Sequence, residues 1–272
     1  MIVAFWNVKK NNSIDPLIMD LIEENNIDIL VLAEYDNDID HLCKSLNFHS
    51  TQFKTLPCTN WGCDKIKGLY SSRYSHDPLM AVSRYYISSF YTTYFKVIIG
   101  MIHAPSNMYR SDADRIPLFS QFYSDILKQE LETKTYNTVI LGDFNSNPFE
   151  RSILGADSLH AIPYKEETVK PTRKVDGKSY RKFYNPSWKL LSPDTPPYGT
   201  YYYNKSSYLN YYWNVYDQVI IRPELINSFV DNSLRIITQI KDKSLLSNNY
   251  KPNEDYSDHL PIVFEIKEEK IK

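Results

Sequence analysis

The chain has 272 residues, 42% hydrophobic and 24% charged, with a formal net charge of −2. That length buries a sizeable core in one large domain or two small ones. The near-neutral balance excludes a global electrostatic pull toward nucleic acid or anionic membrane, so any such affinity must come from a local patch. No stretch approaches the ~20 apolar residues of a membrane span. Met1-Ile2-Val3-Ala4-Phe5-Trp6 carries no basic leader, so the expected location is cytoplasmic, with no membrane partner. Cys43, Cys58 and Cys63 form no disulfide framework, which favours a reducing compartment, and with His49 or His76 they match no zinc spacing.

Ile2 to Trp6 reads as a buried strand ending at Asn7. Asp15-Pro16 reads as a helix start, with Asp15 as N-cap, and Leu17, Ile18, Leu21 and Ile22 form its apolar stripe up to Asn25-Asn26. Ile27 to Leu32 is a second apolar strand, ending at Ala33-Glu34. Strand, helix, strand with nearly continuous apolar strands predicts a parallel or mixed sheet covered by helices. His41-Leu42-Cys43 sits on a short helix, and Trp61 to Tyr74 reads as turn and loop. Met80 to Ile102 reads as two antiparallel strands, the second (Tyr94 to Ile102) ending at His103-Ala104-Pro105-Ser106. Asp112 to Leu131 has helical apolar spacing and predicts a long surface helix.

That helix leads into Thr138-Val139-Ile140-Leu141-Gly142-Asp143-Phe144-Asn145. Four apolar residues run into a glycine, then a carboxylate and a carboxamide two positions apart. Side chains alternate along a strand, so Asp143 and Asn145 project together from its end while Phe144 turns into the core. The alternative is a strand ending in an ordinary polar turn. Val215 to Ile221, containing Asp217, and Leu234 to Ile240 read as further strands. Tyr256-Ser257-Asp258-His259-Leu260-Pro261 precedes a last buried strand. Asn7, Glu34 and Asp143 each end a strand, the expected place for a site in an α/β sheet.

Taken in order, Trp6-Asn7, Glu34, His103-Ala104-Pro105-Ser106, Gly142-Asp143-Phe144-Asn145, Asp217 and Ser257-Asp258-His259-Leu260-Pro261 resemble the endonuclease/exonuclease/phosphatase superfamily, the fold of deoxyribonuclease I. The resemblance spans residues 5 to 264. It implies one domain over residues 1–272, an α/β four-layer sandwich of two packed mixed sheets with outer helices. It implies a divalent cation, Mg²⁺ or Mn²⁺, held by Glu34 with Asn7, and Asp258 as a supporting residue beside it or beside His259. Asp143 would orient or deprotonate the attacking water, and Asn145 would hold phosphoryl oxygens. His259 would contact the scissile phosphate, its ring fixed by Asp217, and His103 would take a second proton-transfer or phosphate-contacting position. Leu32-Ala33-Glu34 departs from relatives that carry Gln before the Glu. Gly68-Leu69-Tyr70-Ser71-Ser72-Arg73 is the best match to the glycine-rich strand expected ahead of His103, whose acidic partner has no evident place. The residue types themselves suit phosphodiester cleavage, which needs fixed donors and a cation for growing negative charge and a carboxylate as base.

Substrate choice rests on an insert at about 165–213. Lys170, Arg173, Lys174, Arg181 and Lys182 are interleaved there with aromatics, ahead of Tyr198, Tyr201 to Tyr203, Tyr208, Tyr211 and Tyr212. Basic residues among flat rings suit a surface that tracks a backbone and stacks bases, so nucleic acid is the expected partner. The alternative is a solvated basic loop with tyrosines packed as strand residues. Inositol phosphates or other small phosphate esters are the second substrate class, and a non-catalytic binding module is the third.

Overall fold

In the computed structural model, which describes residues 1–49, 52–106, 111–191, 193–206 and 208–268, the chain opens with strand β1 (Ile2–Asn7), helix α1 (Asp15–Asn25), strand β2 (Ile29–Ala33) and helix α2 (Ile39–His49). Strands β3 (Phe53–Thr55) and β4 (Ile66–Ser71) follow. Next comes a meander of β5 (Ser75–Val82), β6 (Tyr85–Tyr91) and β7 (Lys96–His103), then helix α3 (Asp112–Thr133) and strand β8 (Thr138–Asp143). The second half is built of shorter pieces: α4 (Arg151–Leu154), β9 (Ala161–Ile162), the hairpin β10 (Thr172–Val175) and β11 (Lys178–Arg181), and β12 (Phe183–Tyr184). The ribbon β13 (Tyr201–Tyr203) and β14 (Tyr212–Asn214) precedes β15 (Asp217–Ile221). Strand β16 (Arg235–Ile236), the ribbon β17 (Gln239–Ile240) and β18 (Lys243–Ser244), and β19 (Ile262–Glu265) complete the chain.

Two mixed sheets result, ordered β16-β19-β1-β2-β4-β3 and β5-β6-β7-β8-β15-β12-β9. β1 runs parallel to β2, and β7 runs parallel to β8. The period-2 alternation of each strand gives it two apolar faces. Val3, Phe5, Ile29 and Val31 of the first sheet pack against Val97, Ile99, Val139 and Leu141 of the second. Outward-facing Ala4, Trp6, Leu30 and Leu32 pack under Leu17, Ile18, Leu21 and Leu42 of α1 and α2. On the far side Ile98, Ile140 and Ile220 meet Phe119, Phe122 and Ile126 of α3. The layers are therefore helix, sheet, sheet, helix, as expected. Among the described residues no helix is long and apolar enough to cross a membrane.

Local readings are revised in four places. Ile14, not Asp15, is the N-cap of α1 and makes no side-chain cap; Asp15 instead accepts hydrogen bonds from Tyr35 Oη (2.9 Å) and Asn37 Nδ2 (2.8 Å). The segment read as loop contains β4, paired to both β2 and β3. That strand overlaps the Gly68–Arg73 stretch matched to the family's glycine-rich strand, and a Cβ at Gly68 would lie 2.5 Å from the Leu30 carbonyl oxygen, so the close strand approach requires glycine. The two strands read between Met80 and Ile102 are part of a three-strand meander starting at Ser75, whose edge strand opens with the polar Ser75-His76-Asp77, is half exposed and is irregular at Pro78. Leu234 to Ile240 splits between the edge of the first sheet and a separate ribbon.

Candidate active site

The alternation that builds the inter-sheet core also builds the site. Continuing the inward-facing series by two residues past Phe5, Met101 and Leu141 reaches Asn7, His103 and Asp143, and running back from Val219 in antiparallel β15 reaches Asp217. Register sets His103 opposite Asp143 and Asp143 opposite Asp217, while Asn7 pairs with Ala33. The apolar core thus ends, on one rim of the sandwich, in a layer of polar side chains. Glu34 follows Ala33 and would otherwise turn outward with Leu30 and Leu32. Its left-handed backbone (φ 51°) breaks the alternation and brings the carboxylate back to within 3.6 Å of His103 Nε2. Asn145 is likewise left-handed (φ 48°), after Phe144 has packed on the helix side near Phe119. Such conformations cost energy in non-glycine residues and persist where the surroundings fix them. Gly142 is obligatory at φ 147°, because a Cβ there would sit 1.9 Å from the Ile102 carbonyl oxygen.

Asp143 is the centre of the cluster and is 1% exposed. Its Oδ2 accepts from Asn7 Nδ2 at 3.1 Å and lies 3.8 Å from His103 Nε2 and 3.9 Å from His259 Nε2. Its Oδ1 accepts the Asn145 backbone N–H at 2.9 Å, and Asn145 Nδ2 donates to the Ala104 carbonyl at 3.0 Å. Glu34 and Asp143 are thus the carboxylates facing His103.

His259 reaches the site from a loop bolted onto β1. Trp6 Nε1 donates to the His259 carbonyl at 2.9 Å. Ser257 Oγ donates to the Asn7 carbonyl at 2.7 Å and accepts the His259 N–H at 3.1 Å. The His259 ring pairs through Nδ1 with Asp217 Oδ2 at 2.9 Å, and Tyr201 packs on it with centroids 4.6 Å apart. Burial disfavours the charged ring, but Asp217, Asp143, the hydrogen bond to Asp217 and nearby Asp258 outweigh it and raise the His259 pKa to about 10. Burial pushes the Asp217 carboxyl up, opposed by the His259 charge and hydrogen bond. The result is a buried imidazolium whose Nε2 faces Asp143. The motifs flagged Trp6 and Ser257 only as neighbours of Asn7 and His259; their bracing role, and that of Tyr201, depends on contacts across the fold.

The potential ligand atoms of Asp143, Asp217 and His259 all lie within 4.8 Å of one another. That trio is an ion pair plus a carboxylate, since Asp217 Oδ2 is already committed to His259. The better donor set for a hard cation is oxygen-only. The Glu34 carboxylate, one-third exposed toward the cleft, fits that description, and at the adjoining strand end the Asn7 Oδ1 already accepts the Lys9 backbone N–H at 3.1 Å and has a second lone pair to offer. Asp258 stands at the margin, 3.5 Å from Lys9 Nζ.

Two clefts flank the cluster. One, of about 290 Å³, is bordered by Glu34 and His103 together with Lys10, Lys65, Lys67 and Arg84. The other, of about 740 Å³, is lined by Asn145, Tyr201, Tyr203, Tyr211 and Tyr216. The basic stretch expected to bind substrate is not at either. Tyr184 pairs with Ile221, the end of β15 opposite Asp217, and the antiparallel register carries residues 181 and 182 further away. Arg181 is ion-paired to Glu224 and stacks 4.0 Å from the Tyr136 ring centroid, and Lys182 is buried with its ammonium on the Glu167 carbonyl. Lys170, Arg173 and Lys174 are exposed on or beside the β10–β11 hairpin at that same far end.

The shape matches solved structures at low sequence identity. The 3' phosphatase NExo from Neisseria, bound to product DNA hairpin, superposes with a TM-score of 0.57 at 16% identity, covering 98% of this chain and 99% of that one. Truncated TDP2 from Caenorhabditis elegans gives 0.55 at 16% identity, covering 97% of each chain. The human Nocturnin catalytic domain with bound sulfate gives 0.52 at 18%, covering 97% and 92%. At these identities the likeness establishes the fold. Among curated proteins, none matches the chain in sequence. The sequence profile of the Endonuclease/Exonuclease/phosphatase family aligns with residues 4–259, from β1 to His259 itself, and the chain therefore belongs to that family of phosphoester hydrolases.

Proposed function

We propose that the chain is a divalent-metal-dependent nuclease that hydrolyses phosphodiester bonds of nucleic acid. The observation that carries this reading is the set of groups converging on Asp143 Oδ2: Asn7 Nδ2 at 3.1 Å, His103 Nε2 at 3.8 Å and His259 Nε2 at 3.9 Å. Asp143 is the base that orients and deprotonates water. Asn7 and Asn145 fix its carboxylate from two sides, so little reorganisation accompanies proton transfer. The His259 imidazolium, held by Asp217, faces the reacting phosphate with Nε2–H and stabilises the charge that develops on its oxygens. His103 supplies a second ring N–H next to Glu34. Glu34 and Asn7, with Asp258 behind them, would hold Mg²⁺ or Mn²⁺, which supplies Lewis-acid polarisation of the phosphoryl group. Nucleic acid as substrate is supported by the pairing of a cleft bearing Lys10, Lys65, Lys67 and Arg84 with a tyrosine-lined one, and by the DNA hairpin bound to the Neisseria relative.

The test is hydrolysis of labelled single-stranded and duplex oligonucleotides, beside phosphate release from inositol phosphates. Activity is expected to disappear in EDTA and return with Mg²⁺ or Mn²⁺. Asp143→Asn and His259→Ala should each lower it by about 10²–10⁴-fold with thermal unfolding still cooperative. Retained turnover in either variant, or phosphate release from inositol phosphates alone, overturns the assignment.

A further inference from the structure

Resting on that nuclease reading, we infer that the tyrosine-walled groove beside His259 stacks an unpaired nucleobase adjoining the scissile phosphate, making single-stranded or frayed ends the preferred substrate. The groove begins at the reaction centre. Tyr201 packs on the His259 ring, stacks on Tyr216 at 5.3 Å and 23°, and stacks on Tyr203 at 6.3 Å and 18°. The ladder of near-parallel rings thus runs outward from the imidazole. Tyr203, at its outer end, is 44% exposed, and Tyr211 across the groove is 46% exposed, its ring edge-on to Phe149 at 5.2 Å. Flat rings with open faces beside a catalytic centre suit stacking of bases, which tolerates any sequence.

The charge around the groove narrows the occupant further. Among the described residues, Asp112, Glu150 and Lys205 are the charged groups that line it. Burial and the neighbouring Asp112 push the Glu150 carboxyl up to about 7, so this pair offers a base edge both acceptors and a proton donor. Backbone phosphates fit the opposite cleft, where Lys10, Lys65, Lys67 and Arg84 gather beside Glu34 and His103 and outnumber its carboxylates Glu34, Asp36 and Asp64, two of which are held only in exposed ion pairs with Lys10 and Lys65. The scissile phosphate at Asp143 therefore has a base-accepting side and a phosphate-accepting side. A base paired within a duplex would have to be unstacked and unpaired to reach the tyrosines, which disfavours duplex against single strand.

The test reads equilibrium binding in EDTA, so it does not depend on catalysis. Fluorescence anisotropy would compare three labelled probes of equal length: a single-stranded oligodeoxynucleotide, the blunt duplex, and a tetrahydrofuran-phosphate oligomer with the same charge and no bases. The protein is expected to bind the single strand at least about 10-fold more tightly than the base-free oligomer, and more tightly than the duplex. Tyr203→Ala combined with Tyr211→Ala should erase the preference for bases, whereas Tyr203→Phe with Tyr211→Phe should keep it. Equal affinity for base-bearing and base-free probes, tighter binding of duplex, or a preference that survives the alanine pair overturns the inference. A base preference in a protein that hydrolyses no oligonucleotide would sink the nuclease reading while supporting the stacking groove.

Discussion

Asp217 shows how much one buried side chain governs at the residue scale. It is fully buried, pairs with His259 Nδ1 at 2.9 Å and donates its own backbone N–H to the Thr200 hydroxyl oxygen. An asparagine there would keep the shape but remove the charge that favours the imidazolium and fixes which nitrogen faces Asp143. Asp217→Asn should therefore lower activity by about 10²–10⁴-fold with the fold intact, and NMR titration should find the His259 pKa well below the wild-type value. The sign follows from linkage. A histidine raised from 6.5 to about 10 contributes stability that is fully present below pH 6.5 and is lost as pH rises through about 10. The stability gap between wild type and variant should close across that window in the metal-free protein. An unchanged His259 titration would show that Asp217 does not govern the ring. The placement of Asn7, Glu34 and Asp143 at the ends of apolar strands was legible from the pattern, whereas their roles came only with the family resemblance. That Glu34 faces the cleft was not legible, because strict alternation would turn it outward.

Elements decide which charges can meet the substrate. The β10–β11 hairpin concentrates basic residues in sequence, yet its attachment through Tyr184 and Ile221 hangs it from the wrong end of β15. The cations beside the centre instead come from separate pieces: Lys10 after β1, Lys65 and Lys67 at β4, and Arg84 in the β5–β6 turn. The exposed pairs Lys10–Asp36 (3.8 Å) and Lys65–Asp64 (3.0 Å) are weak enough to be exchanged for phosphate contacts. Neutralising Lys10, Lys65 and Arg84 together should weaken oligonucleotide binding and reduce the salt slope by about one unit per residue that contacts phosphate. Neutralising Lys170, Arg173 and Lys174 should leave that slope close to wild type. A larger loss from the hairpin set would mean that the strand follows the far end of the sheet. The tyrosine part of the same insert has the opposite fate, because β13 is bridged to His259 and β14 leads directly into Asp217.

At the scale of the whole molecule, stability depends on polar groups buried far from the site. Glu130 on α3 and Arg222 after β15 form a fully buried pair at 2.7 Å, joined by Thr138 and capped by the Phe183 ring. Nearby His160 is 1% exposed, with Nδ1 3.2 Å from the Arg181 carbonyl oxygen. Burial, reinforced by Arg173, Lys182 and Arg222 against that backbone contact, lowers its pKa to about 4. An unfolded histidine takes up its proton near pH 6.5, so the unfolded state gains protons first as pH falls. Urea unfolding should therefore lose up to about 3 kcal/mol of stability between pH 6.5 and 4 through this group, and His160→Gln should remove that part of the slope. An unaltered pH dependence in the variant would exclude His160 as its source.

The sequence by itself determined the α/β class, which is written in the alternation of apolar strands with helical stripes, and it offered the candidate cluster through the ordered motifs by which Asn7, Glu34, His103, Gly142-Asp143-Phe144-Asn145, Asp217 and Ser257-Asp258-His259 resemble the family. Only the tertiary structure decided which strand ends share a rim, how β4 pairs with β2 and β3, and that the tyrosines rather than the hairpin lysines adjoin the centre. Those outcomes are set by inter-strand register and by which end of β15 each neighbour pairs with. Register is a property of pairs of segments distant in the chain, so no window of sequence contains it.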